Sequence, residues 1–331
     1  MASDLSDKRS IRTFKYRATS LLHAGLRFGD FEKDLRDVPD VETLITSLRD
    51  TKQLLSVSQI AEFGDVDEIP LGVPTSGPGM AKSTFKLLLT AARHSKKTSK
   101  VPANAIDQEN EAGWRRDCHD AMLPTLATAC EELVKVYSKQ ELRPLNLDKV
   151  YLGPSRPAYI WAVPISVSIE KLTAQLLGRL TYTYIEAVSS CGPQSYMNSS
   201  QQMFFPVVCA ESKSLQSTPI EAENQCAEGS IKMARTLRNW VGLAQNLPIF
   251  SMSLLGSRVT VYVTVSKPSA KFIMCAFWRR DLQNLWEGFR FQLILFRIGL
   301  WTKDTALVTI NESLAVYDQR VRALQSLPPN A

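Results

Sequence analysis

The chain has 331 residues, 44% of them hydrophobic, and a formal net charge of +6. This supplies apolar material for a full core, in one large domain or in one domain with a helical appendage. The mild positive charge is compatible with a polyanionic partner. No uninterrupted apolar run approaches the roughly 20 residues of a membrane span, and the charged start MASDLSDKRSIRTFKYR lacks the apolar centre of a signal peptide. Six scattered cysteines (Cys118, Cys130, Cys191, Cys209, Cys226, Cys275) form no CxxC, and only three histidines accompany them, so structural zinc is not expected. The pattern fits a reduced, intracellular compartment, nuclear or cytoplasmic.

Residues 1 to about 64 have the pattern of helical pieces, with Leu44, Leu48, Leu54 and Leu55 near helical spacing after the start signal Pro39-Asp40. GDVDEIPLGVPTSGPGMAKS is a Gly-, Pro- and Ser-rich loop, TFKLLLTAARHS a short helix, and KKTSKVPANAIDQ a polar linker. From about residue 109 the pattern changes. Trp114, Cys118, Met122, Leu126, Ala129, Leu133 and Tyr137 recur at three or four, predicting helix over 109–138, kinked or divided at Pro124. Strands are predicted at DKVYLG and YIWAVPISVSI, and EKLTAQLLGRLTYTYIEAV is compatible with a helix running into a strand.

FFPVVCAESKS (204–214) is a core strand by its aromatic and β-branched run. Alternation puts Val207, Cys209, Glu211 and Lys213 on one face, and Val208, Ala210 and Ser212 on the other. The helix TPIEAENQCAEGSIKMARTLRNWVGLAQN opens with a capping-box pattern, Thr218 and Glu221. It carries an apolar stripe (Cys226, Met233, Leu237, Ala244) and a basic one (Lys232, Arg235, Arg238). IFSMSLL and RVTVYVTVS form a hairpin across Gly256-Ser257. Another strand covers KFIMCAFWRR, and the last helix covers KDTALVTINESLAVYDQRVRALQS. The order predicts an α/β or α+β fold, a mixed central sheet flanked by helices. Residues 1–104 form a helical region with a flexible linker, and 105–331 form the sheet domain.

A carboxylate and an ammonium two residues apart at the end of a core strand are costly to bury. They suit a metal-dependent phosphodiesterase, in which carboxylates hold a hard cation, the cation activates water and a lysine stabilises developing charge. In order along the chain, NEAGWRRDCHDAML, AVPISVSIEKL, FFPVVCAESKS, PIEAENQCAEGSIKM and IFSMSLLGSRVTVYVTV resemble segments of the PD-(D/E)xK nuclease superfamily, more narrowly its fungal nuclease-like members. The resemblance covers roughly residues 105–320 and implies a restriction-endonuclease-like core that hydrolyses DNA or, less readily, RNA with Mg²⁺ or Mn²⁺. Glu211 would bind metal, Lys213 would orient water or stabilise charge, and Gln225 would support the site. Glu111, or else Glu109, would be the first-helix acid. The basic stripe Lys232, Arg235, Arg238 would contact phosphate.

One position departs from the pattern. Pro164-Ile165 places an isoleucine where the principal metal-binding aspartate belongs. Glu170 lies five residues on, facing the other way, and Asp148 lies well before the strand. The alternative implied is a nuclease-fold protein without catalysis that binds nucleic acid or a protein partner. Each feature also has a plain structural account. Glu211 and Lys213 can be a strand-end salt bridge, Gln225 a surface or capping residue, and Glu111 a helix N-terminal charge. The basic stripe can be a solvated face, and ARHSKKTSK a solvated linker rather than a nucleic-acid patch. Cys118 and His119 diverge by about 100° on a helix, a poor nucleophile–base geometry. Trp114, Trp240, Trp278, Trp286 and Trp301 serve in core packing or in base stacking.

Overall fold

A computed structural model describes residues 11, 13–51, 55–64, 69, 77–99, 119–120, 124–131, 133–138, 157–164, 197–198, 201–214, 217–241, 247–267, 271–310 and 312. In chain order these form α1 (Phe14–Tyr16, continuing as a π-helical turn Arg17–Leu21), β1 (Leu26–Gly29), α2 (Phe31–Asp34), α3 (Pro39–Arg49), α4 (Val57–Phe63) and α5 (Lys82–Ser99). There follow α6 (Pro124–Ala129), β2 (Lys135–Ser138), β3 (Tyr159–Pro164), β4 (Met197–Asn198), β5 (Gln201–Lys213), α7 (Pro219–Val241), β6 (Ile249–Leu255), β7 (Arg258–Ser266), β8 (Phe272–Asp281) and α8 (Leu285–Trp301). A π-helical turn, Thr302–Ala306, extends α8.

The strands make one mixed sheet in the order β1-β8-β7-β6-β5-β3-β2, with β4 pairing on β5. β2, β3 and β5 run antiparallel to one another in turn. α7 then carries the chain over to β6, which lies parallel to β5. β6, β7 and β8 continue antiparallel, and β1 closes the edge parallel to β8. The β6–β7 turn is two residues long because Leu255 pairs with Arg258. Gly256 there has φ 56°, a conformation open to glycine without steric cost. The fold is thus mixed α/β, with helices on both faces. No described helix is long and apolar enough to cross a membrane.

α7 covers one face. The other is covered by α8, through Trp278 stacked on Phe291 (centroids 5.6 Å apart) and Phe250 edge-on to Trp301 (5.3 Å). Tyr16, Leu21, Leu26, Val41, Ile45 and Leu48 share one buried cluster with strand residues Trp161, Val208, Val261 and Ile273. Residues on both sides of the boundary expected at 104 therefore pack into a common core, and residues 26–29 are a strand of the sheet itself.

The described residues differ from the sequence expectation at several places. The helix expected over 109–138 is helical at 124–129 and becomes strand at 135–138, where Val136 and Tyr137 favour an extended chain. Lys96–Ser99, expected in the linker, extend α5. The segment before Lys303 is helix α8, apolar around most of its circumference because both the sheet and the N-terminal helices pack on it, with only the narrow polar line Glu287, Arg290, Arg297 left partly exposed. DKVYLG, Ile165–Ile169 and EKLTAQLLGRLTYTYIEAV lie outside the described residues.

Candidate functional site

Glu211 and Lys213 end β5 on the face covered by α7. Three contacts fix that face. An added Cβ on Gly229 of α7 would lie 3.1 Å from Cys209 Sγ, so the helix sits directly over Cys209. Cys226 of α7 donates its thiol to the Met252 carbonyl at 3.1 Å. Lys213 Nζ lies 4.0 Å from Glu221 Oε1 in the first turn of α7. Ser212 points the opposite way, as alternation requires. Glu211 and Lys213 are both buried, 5% and 9% exposed.

β-ladder register extends the polarity sideways. Glu211 pairs with Ser253, Ser253 with Thr260, and Thr260 with Arg279, a polar row across four neighbouring strands. Arg279 donates to Thr260 Oγ1 (3.2 Å) and to Glu223 Oε1 of α7 (3.1 Å). Arg17 from the N-terminal region donates to the other Glu223 oxygen and, at 2.7 Å, to Asn224 Oδ1. Ser253 Oγ and Tyr262 OH lie 3.2 Å apart. Burial, with Glu223 next in effect, raises the Tyr262 phenol well above its ordinary pKa, so it stays protonated. Burial and the Glu211 carboxylate push the Cys209 thiol up to about 12. Burial, then Cys209 and Glu211, also push Cys226 well up. Neither thiol supplies a nucleophilic thiolate at neutral pH.

The sequence argument missed Arg17, Glu223, Arg279 and the Ser253–Tyr262 pair. Part of the signal was present. Ser251 and Ser253 alternate with apolar residues in IFSMSLL, as Thr260, Tyr262 and Thr264 do in RVTVYVTVS, which places all five on one face. The distant arginines left no local trace.

The strand position beside Glu211 is not Ile165. β3 pairs Tyr159 with Ala210, Ile160 with Cys209, and Pro164 with Met203. Antiparallel continuation sets Ala158 next to Glu211, and Ala158 is buried at 3% exposed. Ile165 lies outside the described residues, as do Glu111, Glu109, Glu170 and Asp148. Gln225 is half-buried on α7, its Oε1 buried and without a hydrogen-bond partner among the described residues.

The expected basic stripe is not a solvent face. Lys232 is 1% exposed, its Nζ 2.7 Å from Glu228 Oε1. Arg235 donates to the Ala24 carbonyl, and its guanidinium lies 5.8 Å from the Phe272 ring centroid. Arg235 joins α7 to the N-terminal segment directly, and Lys232 is buried against Glu228, whose other oxygen accepts from Tyr16 of that segment. The Arg238 side chain lies outside the described residues. Trp278 and Trp286 are buried in core clusters, the packing role.

On the opposite face His119 bridges Ser212 and the β6–β7 turn. Its Nε2 lies 2.9 Å from the Gly256 carbonyl and its Nδ1 2.6 Å from Ser212 Oγ. A carbonyl only accepts, so Nε2 carries a proton and donates to it, while Nδ1 and Ser212 Oγ share a hydrogen bond. Both residues are 0% exposed. This serine–histidine pair pins the turn to the end of β5, with no room for a substrate.

A Mg²⁺ or Mn²⁺ ion needs several oxygen ligands, two or more commonly from carboxylates. Around Glu211, Ala158 offers none, Arg17 and Arg279 hold Glu223, and Glu221 faces Lys213. No group of three His, Cys, Asp or Glu residues suited to a metal occurs among the described residues. Glu211 would be one ligand of such an ion; Glu111 and Glu109, expected as the second, lie outside the described residues. No family model matches the chain, and no curated protein or solved structure is significantly similar to it.

Proposed function

We propose that the chain is a nuclease-fold protein of the PD-(D/E)xK type whose hydrolytic centre is eroded and which acts by gripping nucleic acid, DNA more readily than RNA. Support for the fold lies in the order of β3, the Glu211–Lys213 strand β5, helix α7, then parallel β6 and its partner β7. That is the order the sequence resemblance implies; the first-helix segment NEAGWRRDCHDAML lies, except for His119 and Asp120, outside the described residues. The observation that carries the loss of catalysis is the β3–β5 register, Tyr159 opposite Ala210, which continued by one residue brings the buried Ala158 opposite Glu211. Where a second carboxylate would complete a cation site there is a buried methyl group, and a lone carboxylate holds a divalent ion weakly.

Nucleic-acid binding by such a protein needs no metal and is dominated by phosphate neutralisation. Fluorescence anisotropy with a labelled duplex and a labelled single strand is expected to give binding that survives EDTA and weakens steeply with salt. Association independent of salt would contradict the nucleic-acid part of the proposal.

A Mg²⁺- or Mn²⁺-dependent hydrolase is the second reading. It is favoured by the shared burial of Glu211 and Lys213 on one face and by Glu221 4.0 Å from Lys213 Nζ. In that case Glu211 would hold the ion, which would supply an activated water, and Lys213 would stand close enough to offset charge.

A further inference from the structure

A cleft of about 360 Å³ opens between the end of α3, the end of β8 and α8, lined by Arg49, Arg279, Arg280, Arg290, Phe277 and Trp278. The Arg279 guanidinium turns to the α7 face, toward Thr260 and Glu223, so the guanidinium groups facing the cleft are those of Arg49, Arg280 and Arg290, with the Glu287 carboxylate partly offsetting them. Glu287 Oε1 lies 3.3 Å from Arg290 and 3.5 Å from Arg280, and Glu223 Oε1 lies 3.1 Å from Arg279. Among the described residues no carboxylate lies within ion-pair distance of Arg49, whose guanidinium sits 5.7 Å from the Phe31 ring centroid. The cleft therefore keeps a net positive charge. Its parts come from segments far apart in sequence, so folding assembles it. Trp278, buried and stacked on Phe291, gives it a rigid floor. The Arg280 side chain is 53% exposed, leaving donors accessible.

Guanidinium forks match the planar pairs of oxygens on a phosphate. The volume lies at the small end of ligand sites, about 300–1,000 Å³, which suits one nucleotide and not a duplex.

We propose that this cleft binds a nucleotide phosphate, carried either by a free mononucleotide or by one unit of a single-stranded nucleic acid. The cleft stands on its own geometry; the preference for a strand rests on the function proposed above. The test uses the full chain in EDTA, comparing the parent with the double variant Arg49→Gln/Arg280→Gln, folding being checked by circular dichroism. Binding of labelled oligothymidylate is followed by anisotropy and binding of AMP by calorimetry. The double variant is expected to bind about tenfold more weakly or worse. The slope of log affinity against log salt should fall by about 1.4 if both arginines contact a single strand. Loss of oligonucleotide affinity without any AMP binding supports the strand as the source. AMP binding that the variant loses supports the free nucleotide, even if the parent takes no oligonucleotide and the binding function proposed above fails. Oligonucleotide affinity unchanged in the variant overturns the cleft while leaving that binding function standing. A parent that takes up neither probe overturns both.

Discussion

Lys232→Met is expected to lower stability by about 3–5 kcal/mol, the usual consequence of removing one partner from a buried ion pair. The Lys232 side chain is fully buried, and its Nζ lies 2.7 Å from Glu228 Oε1 one helical turn earlier. The other Glu228 oxygen accepts the Tyr16 hydroxyl at 2.9 Å. Burial, reinforced by that carboxylate, raises the Tyr16 phenol well above its ordinary pKa, so it remains a donor across the working pH range. Methionine fills the space of the lysine stem but leaves a buried carboxylate whose charge is no longer offset by the ammonium. Adding Glu228→Gln removes that charge and keeps an acceptor for Tyr16, so the double variant should regain most of the loss. Urea unfolding of the parent, the single and the double variant measures this. A loss below about 1 kcal/mol in the single variant would return Lys232 to the surface role that its stripe suggested.

Phe289→Ala is expected to cost about 3–5 kcal/mol as well. Its ring is fully buried, with centroids 5.1 Å from Phe63, 5.8 Å from Phe85 and 6.0 Å from Trp286. Phe63 belongs to α4 and Phe85 to α5, so this cluster ties the N-terminal helices to α8. The opposite side of α8 enters the sheet core through Phe291 and Ile294. A cavity at Phe289 should therefore shift one cooperative transition, seen alike by tryptophan fluorescence and far-UV circular dichroism. Two separated transitions, only the first of them shifted, would mean that the N-terminal helices unfold as an appendage.

Local signals made much of the sheet legible. The strand-like segments IFSMSLL and RVTVYVTVS and the Gly256-Ser257 turn between them located the β6–β7 hairpin, because strand propensity, side-chain alternation and a positive φ are properties of a few neighbouring residues. The same logic put Glu211 and Lys213 on one face and Ser212 on the other. Long-range determinants were not legible. Spacing cannot distinguish a solvated basic stripe from one capped by a segment more than two hundred residues away, so Lys232 and Arg235 gave a false surface. α8 was missed because burial of most of its circumference leaves only a narrow polar line, Glu287, Arg290 and Arg297, against an otherwise apolar helix. Strand register needs both partners. From YIWAVPISVSI alone, Pro164-Ile165 was the natural place for the missing acid, and only pairing with β5 moves that position to Ala158. The four-residue edge strand β1, likewise, depends wholly on β8 for its pairing.

Nicking of supercoiled plasmid with Mg²⁺ or Mn²⁺ tests the eroded-site account most directly, using the parent, Glu211→Ala and Ala158→Asp. The account predicts no cleavage by a well-folded parent, no change on removing Glu211, and at most a gain of cleavage when Ala158→Asp supplies the second carboxylate. Metal-dependent nicking by the parent that Glu211→Ala abolishes would contradict it, establishing a working hydrolase with its second acid elsewhere in the chain.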